Sequence, residues 1–278
     1  MDKFKFLIII KFMKVFEWEK ITADSEGILP DFEQGSGISV GSFDGIHLGH
    51  RTLLNTLISA CKEKKLKSGI ITFSRPLPSI KHSQDYDGDL STLNQRLSIF
   101  ESLGIDFVVV VDFNDAFART SGSDFLLKLK NTFNMKFLAE GIDFRCGYKG
   151  ATDSQAIKYF CQSNGVEYNF VEPVYFENGA EEERVSSSFI RKMIIKGYFS
   201  TVQTLLERPY QLDFSDIAAD AFSVQNKKRI LDKKHVLQVL PKSGVYHLKD
   251  AQKEDVRMEI TENEVIFDTT QSFCMLDF

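Results

Sequence analysis

The sequence predicts an α/β fold built on a parallel sheet, followed by a small β domain. Three observations predict it. Apolar runs of strand length alternate with stretches of helical apolar spacing from Val15 to Val171. One run, Asp106-Phe107-Val108-Val109-Val110-Val111, is almost continuously apolar, as in a parallel sheet covered on both faces. Beyond Tyr210 the helical period gives way to short segments near Val236–Val239, Val256–Ile260 and Glu264–Asp268. The expected division is an extension over residues 1–12, a main domain over 13–210 and the small domain over 211–278.

The elements follow from their end signals. Phe6 to Ile10 is apolar but bracketed by Lys5 and Lys11, too short to cross a bilayer, and Met13 reads as a natural start. Val15 to Ile21 is an expected strand and Thr22 to Gly37 an expected loop. After the stretch 38–50, discussed below, Arg51 to Lys64 spaces Leu53, Leu54, Leu57, Ile58 and Cys61 as a helix. Ser68 to Phe73 is a buried-type strand that runs into a proline loop, Ser74 to Ser79. Ser91 to Leu103 is amphipathic and stops at Gly104. The stretch Phe113 to Phe125 is a loop entering a helix that ends near Phe133, and its phenylalanines read as core. Lys136 to Glu140 is a strand, Thr152-Asp153 caps a helix to Asn164, and Val166 to Val171 is the next strand. Glu177-Asn178-Gly179 reads as a hairpin turn.

The chain is organised around Ile38-Ser39-Val40-Gly41-Ser42-Phe43-Asp44-Gly45-Ile46-His47-Leu48-Gly49-His50. It reads as strand, Gly-rich turn and helix, with His47 and His50 on one helix face. Free N–H groups and the positive end of the helix dipole make such a start a phosphate site. Gly41 and Gly45 permit the turn and a close ligand approach, and Gly49 removes a side chain that could block a nucleotide. Imidazoles donate to phosphate oxygens, more strongly when protonated. On the pair alone, a plain helix cap stays open. The P-loop pattern is absent.

A second start, Arg184-Val185-Ser186-Ser187-Ser188-Phe189-Ile190-Arg191, presents small hydroxyls and an arginine one turn on, able to bring a planar fork to phosphate. Taken alone, its serines are an ordinary N-cap.

Composition narrows the class. The 278 residues are 43% hydrophobic and 26% charged, ordinary for a soluble protein, and the net charge of −5 gives no global field favouring nucleic acid. Cys61, Cys146, Cys161 and Cys274 form no C-x-x-C pair or metal-ligand spacing, and read as reduced cytoplasmic thiols.

The segment G-S-F-D-G-I-H-L-G-H resembles the H-x-G-H signature of nucleotidyltransferases, in the longer form found in the adenylyltransferase half of bacterial bifunctional riboflavin kinase/FAD synthetases. The second motif is similar to the superfamily's I-S-S-T-x-I-R, with Ser188 in place of threonine. Gly141-Ile142-Asp143-Phe144-Arg145-Cys146-Gly147 is similar to G-x-D/N-F-x-F-G, with Cys146 for phenylalanine, and Arg208-Pro209-Tyr210 to G-R-P-Y. Thr72-Phe73 and the prolines resemble T-F-x-P-H-P, with Leu77 where histidine is expected.

The resemblance implies a Rossmann-like nucleotidyltransferase domain that transfers AMP from ATP to FMN, giving FAD and pyrophosphate, with Mg²⁺ accompanying ATP. It implies His47, His50 and Arg191 as catalytic. Gly41, Ser42, Phe43, Gly45, His47, His50, Asp143, Arg184, Ser187, Ser188 and Arg191 would bind ATP, and Phe73, Pro76, Pro78, Asp143 and Phe144 would bind FMN. No protein metal ligand, nucleic acid or membrane partner is expected, and a homo-oligomer is left open.

The kinase segment G-F-P-T-A-N is absent, while Leu240-Pro241-Lys242-Ser243-Gly244-Val245-Tyr246 is similar to the kinase barrel's L-P-x-x-G-V-Y. The tail is therefore expected to be a degenerate β domain without kinase chemistry. Other readings are a different H-x-G-H nucleotidyltransferase and a non-catalytic flavin- or nucleotide-binding protein.

Overall fold

A computed structural model describes residues 13–21, 32–77, 79, 86–178 and 181–278. The expected extension over 1–12, most of the loop after Ile21, Pro78 and the tip of the hairpin at Gly179 lie outside the described residues. The chain packs as two compact units, each assembled from separated segments: 1–41, 55–72 and 97–170 form the first, and 42–54, 73–96 and 171–278 the second.

In the first unit, strands β1 (Lys14–Glu17), β2 (Ser36–Val40), β3 (Lys67–Phe73), β4 (Phe107–Val111), β5 (Met135–Gly141) and β6 (Glu167–Val171) form one sheet in the order β1-β4-β3-β2-β5-β6. The pairs β1–β4, β2–β3 and β2–β5 are parallel. All five residues of β2 and of β4 are buried, which explains the unbroken apolar run of β4, while β2 carries the small Ser36, Gly37 and Ser39 into the interior. The expected strand from Val15 stops at Glu17, and Trp18–Lys20 tightens into a 3₁₀ turn that buries Trp18 against Phe117 and Phe125.

The helices take the expected positions. Helix α1 (Leu48–Lys64) follows β2, and α2 (Leu93–Ser102) precedes β4. Helix α3 (Gly122–Phe133) is capped by Ser121 and ends on Asn134 in a left-handed conformation. Helix α4 (Ser154–Asn164) has the expected Asp153 cap, whose carboxylate accepts from Ala156 N at 3.0 Å, and Gly165 stops it. A reciprocal box starts α2: Thr92 N donates to Gln95 Oε1 at 3.0 Å, and Gln95 N donates to Thr92 Oγ1 at 3.2 Å.

Strand β2 lies between β3 and β5, so the connections diverge at its carboxyl end, where open α/β sheets bind ligands. The β2–β5 ladder ends at the Ile38–Leu138 pair. Beyond it, Val40 N is taken by the buried carboxyl of Glu140 at 2.6 Å, and burial raises the pKa of that group well above the usual range.

The second unit holds the antiparallel pair β7 (Tyr175–Asn178) and β8 (Glu181–Arg184), as the hairpin reading expected, and helices α5 (Ser187–Lys196) and α6 (Phe199–Leu206). Its larger sheet contains β9 (Gln211–Asp213), β10 (Phe222–Gln225), β11 (Lys228–Asp232), β12 (Gly244–Asp250), β13 (Asp255–Ile260), β14 (Glu264–Phe267) and β15 (Met275–Asp277), in the order β10-β11-β14-β13-β12-β15-β9. The expected strands near Val256 and Glu264 are β13 and β14. Residues 236–239 are not in a strand. Leu237 O and Val239 N are spent on the backbone of Asp89, leaving one isolated parallel bridge. One apolar core joins the sheet to α5 and α6 through Ile190, Ile194, Leu205, Leu212, Met258 and Phe267, and it includes Leu90.

Candidate active site

The stretch after β2 turns through three left-handed residues, Phe43 (φ 47°), Gly45 (φ 82°) and Ile46 (φ 41°). Phe43 and Ile46 are strained there, and their full burial holds them in place. Gly45 is required twice: its φ favours glycine, and an added Cβ would lie 2.8 Å from Leu90 Cδ1. The turn sets His47 immediately before α1 and His50 in its first turn.

The two imidazoles stack, with ring centroids 3.8 Å apart and planes 21° from parallel, and Phe43 meets His50 edge-on at 5.3 Å. Nδ1 of each ring is shut off from solvent and has no hydrogen-bond partner among the described residues. Burial, followed by the neighbouring His50, holds His47 well below the ordinary histidine pKa. Burial, followed by Arg96, brings His50 down to about 4. Both rings are therefore neutral near pH 7 in the free protein. Any strengthening by protonation has to come from an arriving anion.

Asp44 joins this turn to the second helix start. Its Oδ1 accepts from Leu90 N at 2.8 Å and Ser91 N at 3.1 Å, and its Oδ2 accepts from Arg191 Nη2. Its backbone oxygen accepts from Ser187 Oγ at 3.0 Å. Burial pushes the carboxyl up to about 6 against the pull of Arg191. Ser186 caps α5, accepting from Phe189 N at 3.2 Å. Ser188 and Arg184 are exposed, the first in the opening turn of α5 and the second at the end of β8.

Arg191 lies differently from the open fork expected. It is buried, with Nε donating to Gly88 O at 2.6 Å and Nη2 to Tyr86 Oη at 2.9 Å as well as to Asp44. Two further arginines hold backbone carbonyls. Fully buried Arg96 donates through Nη1 to Ser42 O and Phe73 O, both at 2.9 Å, and through Nη2 to Ser74 O at 3.0 Å. Arg208 donates to Gly45 O at 2.7 Å, and burial followed by Arg51 lowers it to about 10. The proline loop is tied in through Leu77 N, which donates to Ser42 Oγ at 3.2 Å, and through the Arg75–Asp89 ion pair at 3.1 Å.

Thus Ser42, Phe43, Gly45, His47, His50, Phe73, Pro76, Arg184, Ser187, Ser188 and Arg191 belong to the second unit. Gly41, Asp143 and Phe144 belong to the first. There Asp143 is exposed and Phe144 half-buried, in the turn after β5, where Phe144 N donates to Gly141 O at 3.0 Å.

A sequence profile described as FAD synthetase matches residues 29–189, more than half of the chain. The chain belongs to the FAD synthetase family. A bifunctional riboflavin kinase/FMN adenylyltransferase of Buchnera aphidicola subsp. Schizaphis graminum is 28% identical over 189 residues, which cover 66% of this chain and 58% of that protein. An FAD synthetase of Listeria monocytogenes is 26% identical over 175 residues, 63% of this chain and 70% of that one. The matched region therefore spans less than two thirds of the Buchnera relative. The fold resembles the crystal structure of a Streptococcus pneumoniae protein described as a macrolide-efflux protein (TM-score 0.71, 22% identity, 96% of this chain and 98% of that one). At that identity the likeness concerns the fold alone, and it extends through the C-terminal sheet.

Asp44, Arg96 and Arg208 hold the histidine turn in place and were not among the candidate site residues read from the sequence, although Arg208 was quoted in a motif. Asp44 sits inside the quoted motif. Arg96 had one signal, a charge sharing the buried face of α2 with Phe100 four residues on. Among the described residues no group of three His, Cys, Asp or Glu side chains is placed to hold a metal ion, and no helix is long and apolar enough to cross a membrane.

Proposed function

We propose that the protein is an FMN adenylyltransferase, forming FAD and pyrophosphate from ATP and FMN without riboflavin kinase activity. The observation that carries the reading is the stacked His47–His50 pair, each with an orphaned Nδ1, at the start of α1 in a chain of the FAD synthetase family. A buried polar atom without a partner carries a desolvation cost that a ligand can relieve.

In this reading the ATP phosphates lie against the starts of α1 and α5. An ionised oxygen of the FMN phosphate attacks the α-phosphorus, the bond from that phosphorus to the β-bridging oxygen breaks, and pyrophosphate leaves. The nucleophile is largely ionised near neutral pH, so no strong general base is needed. His47 and His50 donate to the α-phosphate oxygens as charge develops, and Ser187, Ser188 and Arg184 hold the departing β- and γ-phosphates. Arg191 adds positive potential and holds the turn from behind. Phe73, Pro76 and Pro78 are the positions proposed for the flavin side.

Mg²⁺ is proposed to arrive on the ATP phosphates as part of the substrate. Asp44, the one carboxylate in the histidine turn, has both oxygens committed, and Mg²⁺ is commonly held by substrate phosphates with few protein ligands. When bound, the ion supplies charge neutralisation on the phosphates.

The test is incubation of purified protein with ATP, Mg²⁺ and either FMN or riboflavin, with chromatographic separation of flavins and assay of pyrophosphate. FAD and pyrophosphate from FMN, with riboflavin unchanged, is the expected outcome. FMN from riboflavin overturns the kinase-free reading, and ATP binding without product from FMN overturns the adenylyltransferase reading.

A further inference from the structure

The C-terminal region carries a segment that the adenylyltransferase reading leaves unused. Leu237–Val239 leaves the sheet and runs beside residues 88–90. Asp89 N donates to Leu237 O at 2.8 Å, and Val239 N donates to Asp89 O at 2.9 Å. The approach is so close that only glycine fits at 88. An added Cβ would lie 2.6 Å from Val239 N and 2.8 Å from Gln238 C, and the φ of +121° independently excludes most side chains.

Gln238 is buried and fully employed. Its Nε2 has three acceptors in reach, Leu90 O at 3.2 Å, Gln95 Oε1 at 3.2 Å and Gln211 O at 2.9 Å, while its Oε1 accepts from Asp213 N at 2.7 Å. Tyr210 Oη fixes the same segment by donating to Val239 O at 2.8 Å.

The strip 88–91 then touches the histidine turn at three points and Arg191 of α5 at a fourth. Gly88 O accepts from Arg191 Nε, Leu90 N and Ser91 N donate to Asp44 Oδ1, and Ser91 Oγ accepts from Gly45 N at 2.9 Å. Residues 237–239 are therefore one layer of hydrogen bonds removed from the residues that set the turn.

We propose that Leu237–Val239 is a positioning element of the adenylyl-transfer site, with Gln238 as the residue that transmits it. The β domain is then an integral support of adenylyl transfer, whatever becomes of its kinase chemistry. The proposal rests on reading the histidine turn as the nucleotide site.

The test compares wild type, Gln238→Ala and a control, Val265→Ala, in the full chain. Val265 is buried in β14, opposite Leu231 and Ile260, so its truncation loosens the same sheet while removing no hydrogen bond to 237–239. ATP binding is measured by calorimetry, and backbone hydrogen exchange by mass spectrometry. Gln238→Ala is expected to bind ATP at least tenfold more weakly and to exchange faster in peptides covering 86–91 and 42–50. Val265→Ala is expected to leave both unchanged. Should Gln238→Ala fail to fold, Tyr210→Phe, which removes only the bond to Val239 O, is expected to move both readouts the same way by a smaller factor. Unchanged ATP binding, or faster exchange confined to 211–215 and 236–240, would overturn the proposal. If wild type binds ATP but forms no FAD, the adenylyl-transfer reading fails while this comparison still decides the support role. If wild type binds no ATP, both fall.

Discussion

Asp44 and Arg191 form an ion pair in the interior, both nearly excluded from solvent, although 146 residues lie between them in the chain. The pair fastens the start of α1 to that of α5. Removing one partner strands the other as a buried charge, which typically costs ~3–5 kcal/mol. Asp44→Ala is expected to lose stability on that scale in urea unfolding.

Asp44→Asn keeps an acceptor for Leu90 N and Ser91 N but loses the charge that holds Arg191. With the Asp44 carboxyl at about 6, the wild-type pair is intact at pH 7 and weakens as pH falls through 6. Apparent ATP affinity of the wild type is expected to drop on that limb. Asp44→Asn should bind more weakly than wild type at pH 7, approach it below pH 6 and lack the limb; a limb that persists in the variant assigns the titration elsewhere.

The pKa of His50 is shifted the other way, downward, and acid works against the folded protein. Burial lowers His50 from 6.5 to about 4, so the unfolded chain takes up its proton first as pH falls. The favourable contribution of the neutral ring is whole above about 6.5 and lost progressively towards 4. His50→Gln is expected to lack this acid sensitivity, narrowing the difference from wild type by about 1–3 kcal/mol between pH 6.5 and 4.5. Histidine NMR should also show the His50 pKa rising when ATP binds, since the phosphates favour the charged ring.

His47→Ala and His50→Ala each remove a donor from the site of charge development. Loss of such a preorganised donor typically costs ~10²–10³ in turnover. Steady-state FAD formation is expected to fall by that order with the circular dichroism spectrum unchanged, and a variant with near-normal turnover excludes its histidine from the mechanism.

Two glycines in one motif are expected to behave differently. Gly45→Ala meets both a left-handed φ and a contact at 2.8 Å, and should lower stability by ~1–3 kcal/mol. Gly49 has ordinary backbone, and its added Cβ would rest 3.4 Å from His47 Cε1 and Nδ1. Gly49→Ala should therefore fold nearly as well and show its effect in the KM for ATP.

Much of this was legible because it is local. The apolar run of β4 reports burial on both faces, the Asp153 and Ser186 caps mark helix starts, and the spacing of His47 and His50 places both rings at one helix start. The strand expected at 236–239 was not found, because period 2 cannot distinguish a segment paired within its sheet from one whose amides are spent on Asp89.

By itself the sequence determined the alternation of strands and helices as far as Val171, the two phosphate-type helix starts and the family signature, since each depends on residues within a few positions of one another. Tertiary structure decided the rest. It made the histidines neutral, since only enclosure removes the water that would solvate their charge. It turned Arg191 inward, since the carboxylate it answers is set beside it by folding alone. It also built residues 73–96 and the C-terminal sheet into one unit with the histidine turn, because Gln238, Gly88 and Asp44 are neighbours only across packed backbone.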